Sequence, residues 1–231
     1  MGGRMEQKPH YFIPRYAVIP LATAAIVNLA VYSGTKLITA GWPHHSFALE
    51  IDAWIPFWPA FISIYILAYV QWCIGYLMFA RDSRKLCYEM TAGDIIAKLI
   101  CGVCFLAFPT LICRPEVSQT GVWNALTRII YWFDTPVNLF PSVHCLESWI
   151  CCRGAMRSSK AATWYKGVML VFTLLVFAST VLVKQHVVLD IAGGVVVAEI
   201  GLFVAKKFRI DRVFERLEPS YVKKSLHGAG E

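Results

Sequence analysis

Residues 167–204 read GVMLVFTLLVFASTVLVKQHVVLDIAGGVVVAEIGLFV, two apolar runs joined by a very short polar hairpin at Val183–Gln185. A helix needs about 20 consecutive apolar residues to cross the hydrocarbon core of a bilayer. Both runs approach that length and carry few charges, so we expect both to span a membrane. Four similar runs precede them, which gives six predicted spans: Tyr16–Ile38, Trp54–Ala80, Ile95–Cys113, Pro141–Ala155, Gly167–Val183 and His186–Val204.

The composition also indicates a membrane protein. Of the 231 residues, 57% are hydrophobic and 16% are charged, whereas a soluble domain is about half apolar and about a quarter charged. The surplus of apolar residues has to face lipid. The sequence therefore predicts an all-α, polytopic membrane protein with six transmembrane helices and no cleavable signal peptide.

Basic residues predict the orientation, because Lys and Arg mark the cytoplasmic side of a membrane protein. They concentrate at the N-terminus, in alternate loops and in the tail: Arg4, Lys8, Arg15, Arg81, Arg84, Lys85, Arg153, Arg157, Lys160, Lys166, Lys206, Lys207, Arg209, Arg212, Arg216, Lys223 and Lys224. Both termini are thus predicted to be cytoplasmic, with an even number of spans. For this reason the short fourth run counts as a span despite Glu147. The predicted parts are a cytoplasmic segment 1–15, a six-helix membrane domain 16–207 and a basic cytoplasmic tail 208–231.

Three segments with chemically active side chains fall on the opposite, non-cytoplasmic side by this charge pattern. They are Cys113-Arg114-Pro115, Phe140-Pro141-Ser142-Val143-His144, and the stretch from Ser179 to Asp190. The orientation was derived from basic residues in the loops and not from the motifs. It is therefore informative that all three motifs fall on the same side. A long loop at 114–140 on this side contains an amphipathic stretch that is predicted to lie in the membrane interface.

His186 and Asp190 are four residues apart, a spacing that places two side chains on one face of a helix. A carboxylate behind an imidazole fixes its tautomer and supports the positive charge that the ring gains as a nucleophile or base. Ionisable groups beside hydrocarbon are costly, which favours a functional reading. The alternative is a His–Asp pair that only fastens two helices together.

Pro141 is suited to the first position of a helix, where its missing N–H costs nothing. The N–H groups that follow it would bind phosphate, Ser142 would add a donor, and His144 would protonate a leaving oxygen. The alternative is a simple helix cap. Arg114 has the geometry for bidentate contact with phosphate, and Lys184 lies close to the same segments. For both residues the alternative is an interface anchor.

Other classes of site have no support in the sequence. No cluster of His, Cys, Asp or Glu has metal-ligand spacing, and there is no Gly-rich phosphate loop. We expect no metal, no cofactor and no nucleic-acid partner, and the oligomeric state stays open. Glu147 is expected to have a structural role.

Together, the three segments resemble the signature of the type-2 phosphatidic acid phosphatase superfamily. Its first part ends in Arg-Pro, as at Arg114-Pro115, and its second part, Pro-Ser-x-His, matches residues 141–144. Its third part is Ser-Arg, five residues, His, three residues and Asp, and it matches Ser179, His186 and Asp190. Two cations of the family pattern are absent, because Ala107 and Thr180 stand at the Lys and Arg positions.

The resemblance implies a metal-independent membrane enzyme in which His186 attacks phosphorus, Asp190 orients it and His144 serves as acid and then base. It also implies that Arg114, Ser142, Ser179 and Lys184 hold the phosphate oxygens. The expected substrate is a lipid phosphomonoester or diphosphate such as phosphatidate, in a cell membrane or the endoplasmic reticulum. Two alternatives stay open: a lipid phosphoryl-alcohol transferase similar to inositolphosphorylceramide synthases, and a degenerate relative that only binds lipid or acts as a scaffold.

Overall fold

A computed structural model describes residues 11–218 of the chain. Within this range the regular structure is helical apart from two isolated β-bridges. In chain order the helices are α1 (Val18–Thr39), α2 (Glu50–Trp54), α3 (Ile62–Asp82), α4 (Arg84–Ala107), α5 (Val122–Phe133), α6 (Val143–Arg157), α7 (Thr163–Leu182), α8 (Val188–Lys207) and α9 (Arg212–Leu217). The predicted basic residues Arg4, Lys8, Lys223 and Lys224 lie outside the described residues.

Five helices of the described range are long and apolar enough to cross a membrane: Arg15–Thr39, Pro59–Asp82, Arg84–Ala107, Thr163–Leu182 and Val188–Lys207. They include 3-10 turns that lead into α1 and α3. The chain is therefore an all-helical protein with five candidate membrane spans. The fourth predicted span corresponds to α6, which has only 15 residues. It packs in the middle of the bundle against α3, α4, α7 and α8.

Six helices run alternately between two ends of the bundle, namely α1, α3, α4, α6, α7 and α8. At one end, which we call the site end (residues 40–58, 108–142 and 183–187), the loops contact one another. For example, the Trp58 N–H donates to the Leu182 carbonyl at 2.8 Å, and His45 pairs with Thr110. At the other end, which we call the basic end (residues 81–85, 157–163 and 206–218), Arg84 pairs with Glu218. All three predicted motifs therefore lie at the end opposite to most of the basic residues that the structure describes.

The predicted start of the third span, Ile95, is wrong by about three turns. α4 begins at Arg84, directly after Ser83, whose side chain caps the helix by accepting from the Leu86 N–H at 3.2 Å. The sequence suggested a loop here because this segment is rich in charged residues. In the structure those charges have partners, such as Glu89 with Arg157, so the segment stays helical.

Close approaches of α8 to its neighbours depend on two glycines. A Cβ at Gly201 would lie 2.4 Å from the Gly93 carbonyl oxygen of α4. A Cβ at Gly194 would lie 2.6 Å from the Ser142 carbonyl oxygen at the start of α6. The second contact brings the first turns of α6 and α8 together.

A cluster of ionisable side chains is buried between α4 and α6. The Lys98 ammonium lies 2.8 Å from Asp94 and 2.6 Å from Glu147, and all three side chains are at most 5% exposed. The Tyr76 hydroxyl of α3 donates to Glu147 at 2.5 Å. Glu147 therefore joins three helices, which accounts for a charged residue in the middle of a short helix.

Candidate active site

His186 and Asp190 form a direct pair, with 3.1 Å between Nδ1 and Oδ2. The expected reason for the pairing needs correction, because His186 precedes α8 and does not lie on it. Asp190 is the third residue of the helix, and the same Oδ2 accepts from the Val187 N–H at 3.1 Å. The capping carboxylate thus accepts from Nδ1–H of the histidine ring, and Nε2 is the ring nitrogen that Asp190 does not engage.

The turn before α6 also differs from the expectation. Pro141 does not begin the helix; Ser142 is its N-cap, and the serine oxygen accepts from the Cys145 N–H at 3.3 Å. The Ser142 N–H donates to the Asp190 carbonyl at 3.1 Å, which joins the second and third motifs directly. The first N–H groups of α6, at Val143 and His144, have no acceptor within the helix, as at any helix start.

His144 lies in an aromatic box formed by one face of α3. The Tyr65 ring stacks on it with centroids 4.2 Å apart, and Tyr69 and Trp72 pack around it at 5.5 and 5.0 Å. Its Nδ1 lies 3.3 Å from the Tyr65 hydroxyl, while its buried Nε2 has no hydrogen-bond partner. The His144 and His186 ring centroids are 6.2 Å apart.

Arg114 is fixed between the long site-end loop and the α7–α8 hairpin. It donates to the Tyr131 carbonyl at 3.1 Å and to the Gln185 side chain, and its guanidinium stacks on the Tyr131 ring at 4.3 Å. Its Nε is buried without a partner. Burial raises the pKa of Tyr131 to about 12, so this hydroxyl stays protonated and donates to the Val183 carbonyl at 2.7 Å.

The side chains of Lys184 and Ser179 both donate hydrogen bonds to backbone carbonyls of the protein. α7 ends before Lys184, whose ammonium donates to the carbonyls of Asp52 at 2.9 Å and Ile55 at 2.6 Å. The Ser179 hydroxyl is fully buried and donates to the Val176 carbonyl at 2.7 Å. An ammonium has three donors, so Lys184 retains one for a ligand.

A cavity of about 480 Å³ opens beside His186. Arg114, Lys184 and His186 line it, whereas Ser142, His144 and Ser179 do not. Much of the remaining wall is apolar and comes from Leu49, Ala53, Phe57, Ile112 and Val181. The cavity also has the acidic residue Asp52 in its lining, so it combines two cations, an imidazole and one acidic residue with a surface that suits hydrocarbon.

Sequence reasoning missed several residues of this region. Asp134 lies behind His144 with Tyr65 between them, and Gln185 holds Arg114. Asp52 accepts from the first N–H of α8, at Val188, with 2.8 Å between the two atoms. One sequence signal pointed to the aromatic box around His144: aromatic residues recur at helical spacing at positions 65, 69, 72 and 76.

The two family cations that the sequence lacks have no substitute at their own positions. Ala107 is the last residue of α4, and the Thr180 hydroxyl donates to the Phe177 carbonyl at 2.8 Å. Within residues 11–218, no three His, Cys, Asp or Glu side chains converge as metal ligands would, and the eight cysteines are free.

The fold and this site together describe a polytopic membrane protein with a histidine-based site at one end of the bundle. Comparison with known families shows where it belongs: the family model described as the PAP2 superfamily matches residues 38–204. The chain belongs to this superfamily and is a membrane phosphatase-type protein. No curated protein and no solved structure matches it.

Proposed function

We propose that the chain is a metal-independent lipid phosphatase that hydrolyses a lipid phosphomonoester or diphosphate, with phosphatidate as the first candidate, through a phosphohistidine. The observation that carries this proposal is the pair of histidines with different partners. His186 is oriented by Asp190 and opens on a cavity with two cations, and His144 presents an unpartnered Nε2 close by. A nucleophile, its orienting carboxylate and a separate acid are the groups that phosphoryl transfer through histidine needs.

The reaction has two steps. In the first, the His186 Nε2 lone pair attacks phosphorus, the phosphorus–oxygen bond to the lipid breaks, and the departing oxygen takes a proton from His144. In the second, His144 takes a proton from water, whose oxygen attacks phosphorus, and the phosphorus–nitrogen bond breaks to release phosphate. Asp190 stabilises the charge on His186 throughout.

The proposed phosphate-binding groups are Arg114, Lys184, Ser142 and Ser179. Arg114 contributes a guanidinium and Lys184 the remaining hydrogen of its ammonium, and both line the cavity. Ser142 and the first N–H groups of α6 contribute the positive end of a helix dipole. Ser179 belongs to the proposed set through its place in the family pattern, and its buried hydroxyl fixes the end of α7 next to the hairpin.

We further propose that α6 is a sixth span, that both termini are cytoplasmic, and that the site faces the opposite side of a cell or endoplasmic-reticulum membrane. The support is the separation of the site end from the basic end. A helix of 15 residues is about 22 Å long, and protein on several sides covers it, so it needs no full apolar length of its own.

A second candidate, transfer of the phosphoryl group to an alcohol, has one specific observation in its favour. Both missing cations would hold phosphate in the hydrolytic pattern, and neither Ala107 nor Thr180 replaces them. A transferase would form a new phosphodiester lipid from a phospholipid donor and an alcohol acceptor, without free phosphate.

The test is phosphate release by the purified chain in detergent with excess EDTA, from phosphatidate, a polyprenyl diphosphate and a sphingoid phosphate. His186→Ala should abolish release, and Asp190→Asn should reduce it less. His45→Ala is the matched control, since this exposed site-end histidine makes no side-chain hydrogen bond, and its release should stay normal. Release that survives in His186→Ala would exclude this nucleophile, and no release from any substrate would favour the transferase.

A further inference from the structure

Asp134 is an acidic residue held behind the active site by two helices. It follows the last residue of α5, and its Oδ1 accepts from the Tyr32 hydroxyl and lies 3.4 Å from the Lys36 ammonium, both on α1. Its Oδ2 accepts from the Tyr65 hydroxyl of α3 at 3.0 Å. The carboxylate is therefore fixed by donors from both sides and has one oxygen directed toward His144 through Tyr65.

Tyr65 connects this carboxylate to the histidine. Its side chain is fully buried, and its oxygen lies 3.0 Å from Asp134 Oδ2 and 3.3 Å from His144 Nδ1. An ionised carboxylate only accepts, so the single phenolic hydrogen goes to Asp134. The phenolic oxygen then accepts from His144 Nδ1–H, in a long hydrogen bond of the kind that tightens when a substrate binds.

This arrangement decides which nitrogen of His144 works on the substrate. With Nδ1 engaged, Nε2 is the atom left to give or take a proton, and it is the buried nitrogen without a partner. The other histidine has the same design, since His186 Nδ1 is held by Asp190. In one case the carboxylate acts directly, and in the other it acts through a tyrosine.

We propose that Asp134, acting through Tyr65, is a positioning residue that orients His144 and stabilises its protonated form as the acid of the reaction. The inference rests on the proposed function and adds residues that the family signature in this chain does not contain. Asp134 is not among the residues that line the cavity, so in this proposal it acts only through Tyr65 and the His144 ring.

The charges around the pair agree with this role. Asp134 faces Lys36 and Tyr32 from α1, Tyr65 and Tyr69 from α3, and the Arg114 guanidinium from the site end, and His144 faces His186 across the site. Burial opposes ionisation of Asp134, but His144, the Tyr32 hydrogen bond and Lys36 outweigh it, and the pKa of Asp134 lies below its ordinary value. The group is thus an anion at neutral pH and offsets the positive charge of an imidazolium.

The test is the pH dependence of kcat in Asp134→Asn, which keeps the shape and an acceptor oxygen but removes the charge. His144 must be protonated to expel the lipid. Without the Asp134 charge the imidazolium of His144 is less stable and loses its proton at lower pH, so the alkaline limb of the kcat profile should move to lower pH. We expect a shift of about one pH unit, which is about a tenfold loss of rate on that limb. Tyr65→Phe should give the same shift, and the double variant should shift no further than either single one.

Tyr69→Phe is the matched control, because it makes the same chemical change on the same helix while its ring stays against His144. Tyr69 has no hydrogen bond to Asp134 or His144. The alkaline limb of the kcat profile should therefore stay in place in the Tyr69→Phe protein. An unmoved limb in Asp134→Asn, or additive shifts in the double variant, would overturn the inference. Tyr65→Phe decides the question if Asp134→Asn fails to fold.

The same assay separates this inference from the proposed function. Wild-type turnover that is lost in His186→Ala supports the phosphatase proposal whatever Asp134→Asn does. Active wild type with an unmoved limb in both variants overturns the role of Asp134 alone. Wild type without turnover on any phosphate lipid overturns the proposed function, and the inference with it.

Discussion

Replacing Lys98 by Met tests how the bundle tolerates charge in its interior. The ammonium is the one cation within 4 Å of Asp94 and Glu147 among the described residues, at 2.8 and 2.6 Å, and its side chain is 4% exposed. One oxygen of Asp94 already lacks a partner. Without Lys98, two buried carboxylates would face each other with only Tyr76 to donate to them.

Removing one partner of a buried ion pair costs about 3–5 kcal/mol. For a chain of this length, 1 kcal/mol lowers the melting temperature by roughly 2–4 °C, so we expect a loss of roughly 6–20 °C. The assay is thermal unfolding of the purified protein in detergent, followed by tryptophan fluorescence. Neutralising all three groups, as in Lys98→Met with Asp94→Asn and Glu147→Gln, should recover most of the loss, because no buried charge is then unpaired.

The matched control is Lys85→Met, at the exposed end of α4. Its ammonium lies 3.9 Å from Glu89 and its side chain is 83% exposed, so its removal should change the melting temperature little. A Lys98→Met protein whose melting temperature stays within about 3 °C of wild type would show that the buried pairing of Lys98 with Asp94 and Glu147 does not stabilise the bundle as expected. So would a triple variant that is no more stable than Lys98→Met alone.

Three further predictions concern the site end. Gly194→Ala should cost about 1–3 kcal/mol in thermal unfolding and slow phosphate release, because its Cβ meets the Ser142 carbonyl; Gly34→Ala, with open space around it, should do neither. Arg114→Lys should lower kcat/KM roughly ten- to hundredfold by removing the planar fork, and an unchanged value would exclude phosphate contact. The pKa of Asp134 is lowered in the folded protein. Its carboxylate should therefore stabilise the fold at pH values above the ordinary carboxyl pKa, and this stabilisation should be lost as the pH falls through the lowered pKa. Denaturation curves of Asp134→Asn and wild type should therefore converge in acid, and a gap that persists there would contradict this.

The positions of the helices and the three motifs were largely predictable from the sequence, because hydropathy and motif spacing are local properties. The His186–Asp190 pair illustrates this: the spacing predicted the contact, although the helix begins only after His186. α4 shows the limit of the same signal. Its first turns resemble a loop in sequence, because the pairing of Glu89 with Arg157 on α6 cannot be seen there.

The environment of His144 was not predictable, because it is assembled from distant parts of the chain. Tyr65 and Asp134 are 69 residues apart, and Tyr32 and Asp134 are 102 apart. No spacing rule connects such residues, and a lone aspartate in a long loop resembles any solvated one. The direction of Lys184 was equally hidden, since its contacts with the Asp52 and Ile55 carbonyls depend on how the first site-end loop folds over the hairpin.

If His186 carries the phosphoryl group during turnover, the phosphorylated protein can be trapped and its modified residue identified. Purified protein would be mixed with phosphatidate labelled in its phosphate, quenched within one turnover in alkali, and digested for mass spectrometry. We expect an acid-labile, alkali-stable phosphate on the peptide that contains His186, and none in His186→Ala. A label on His144 or on any other residue, or steady turnover without a labelled protein, would contradict it.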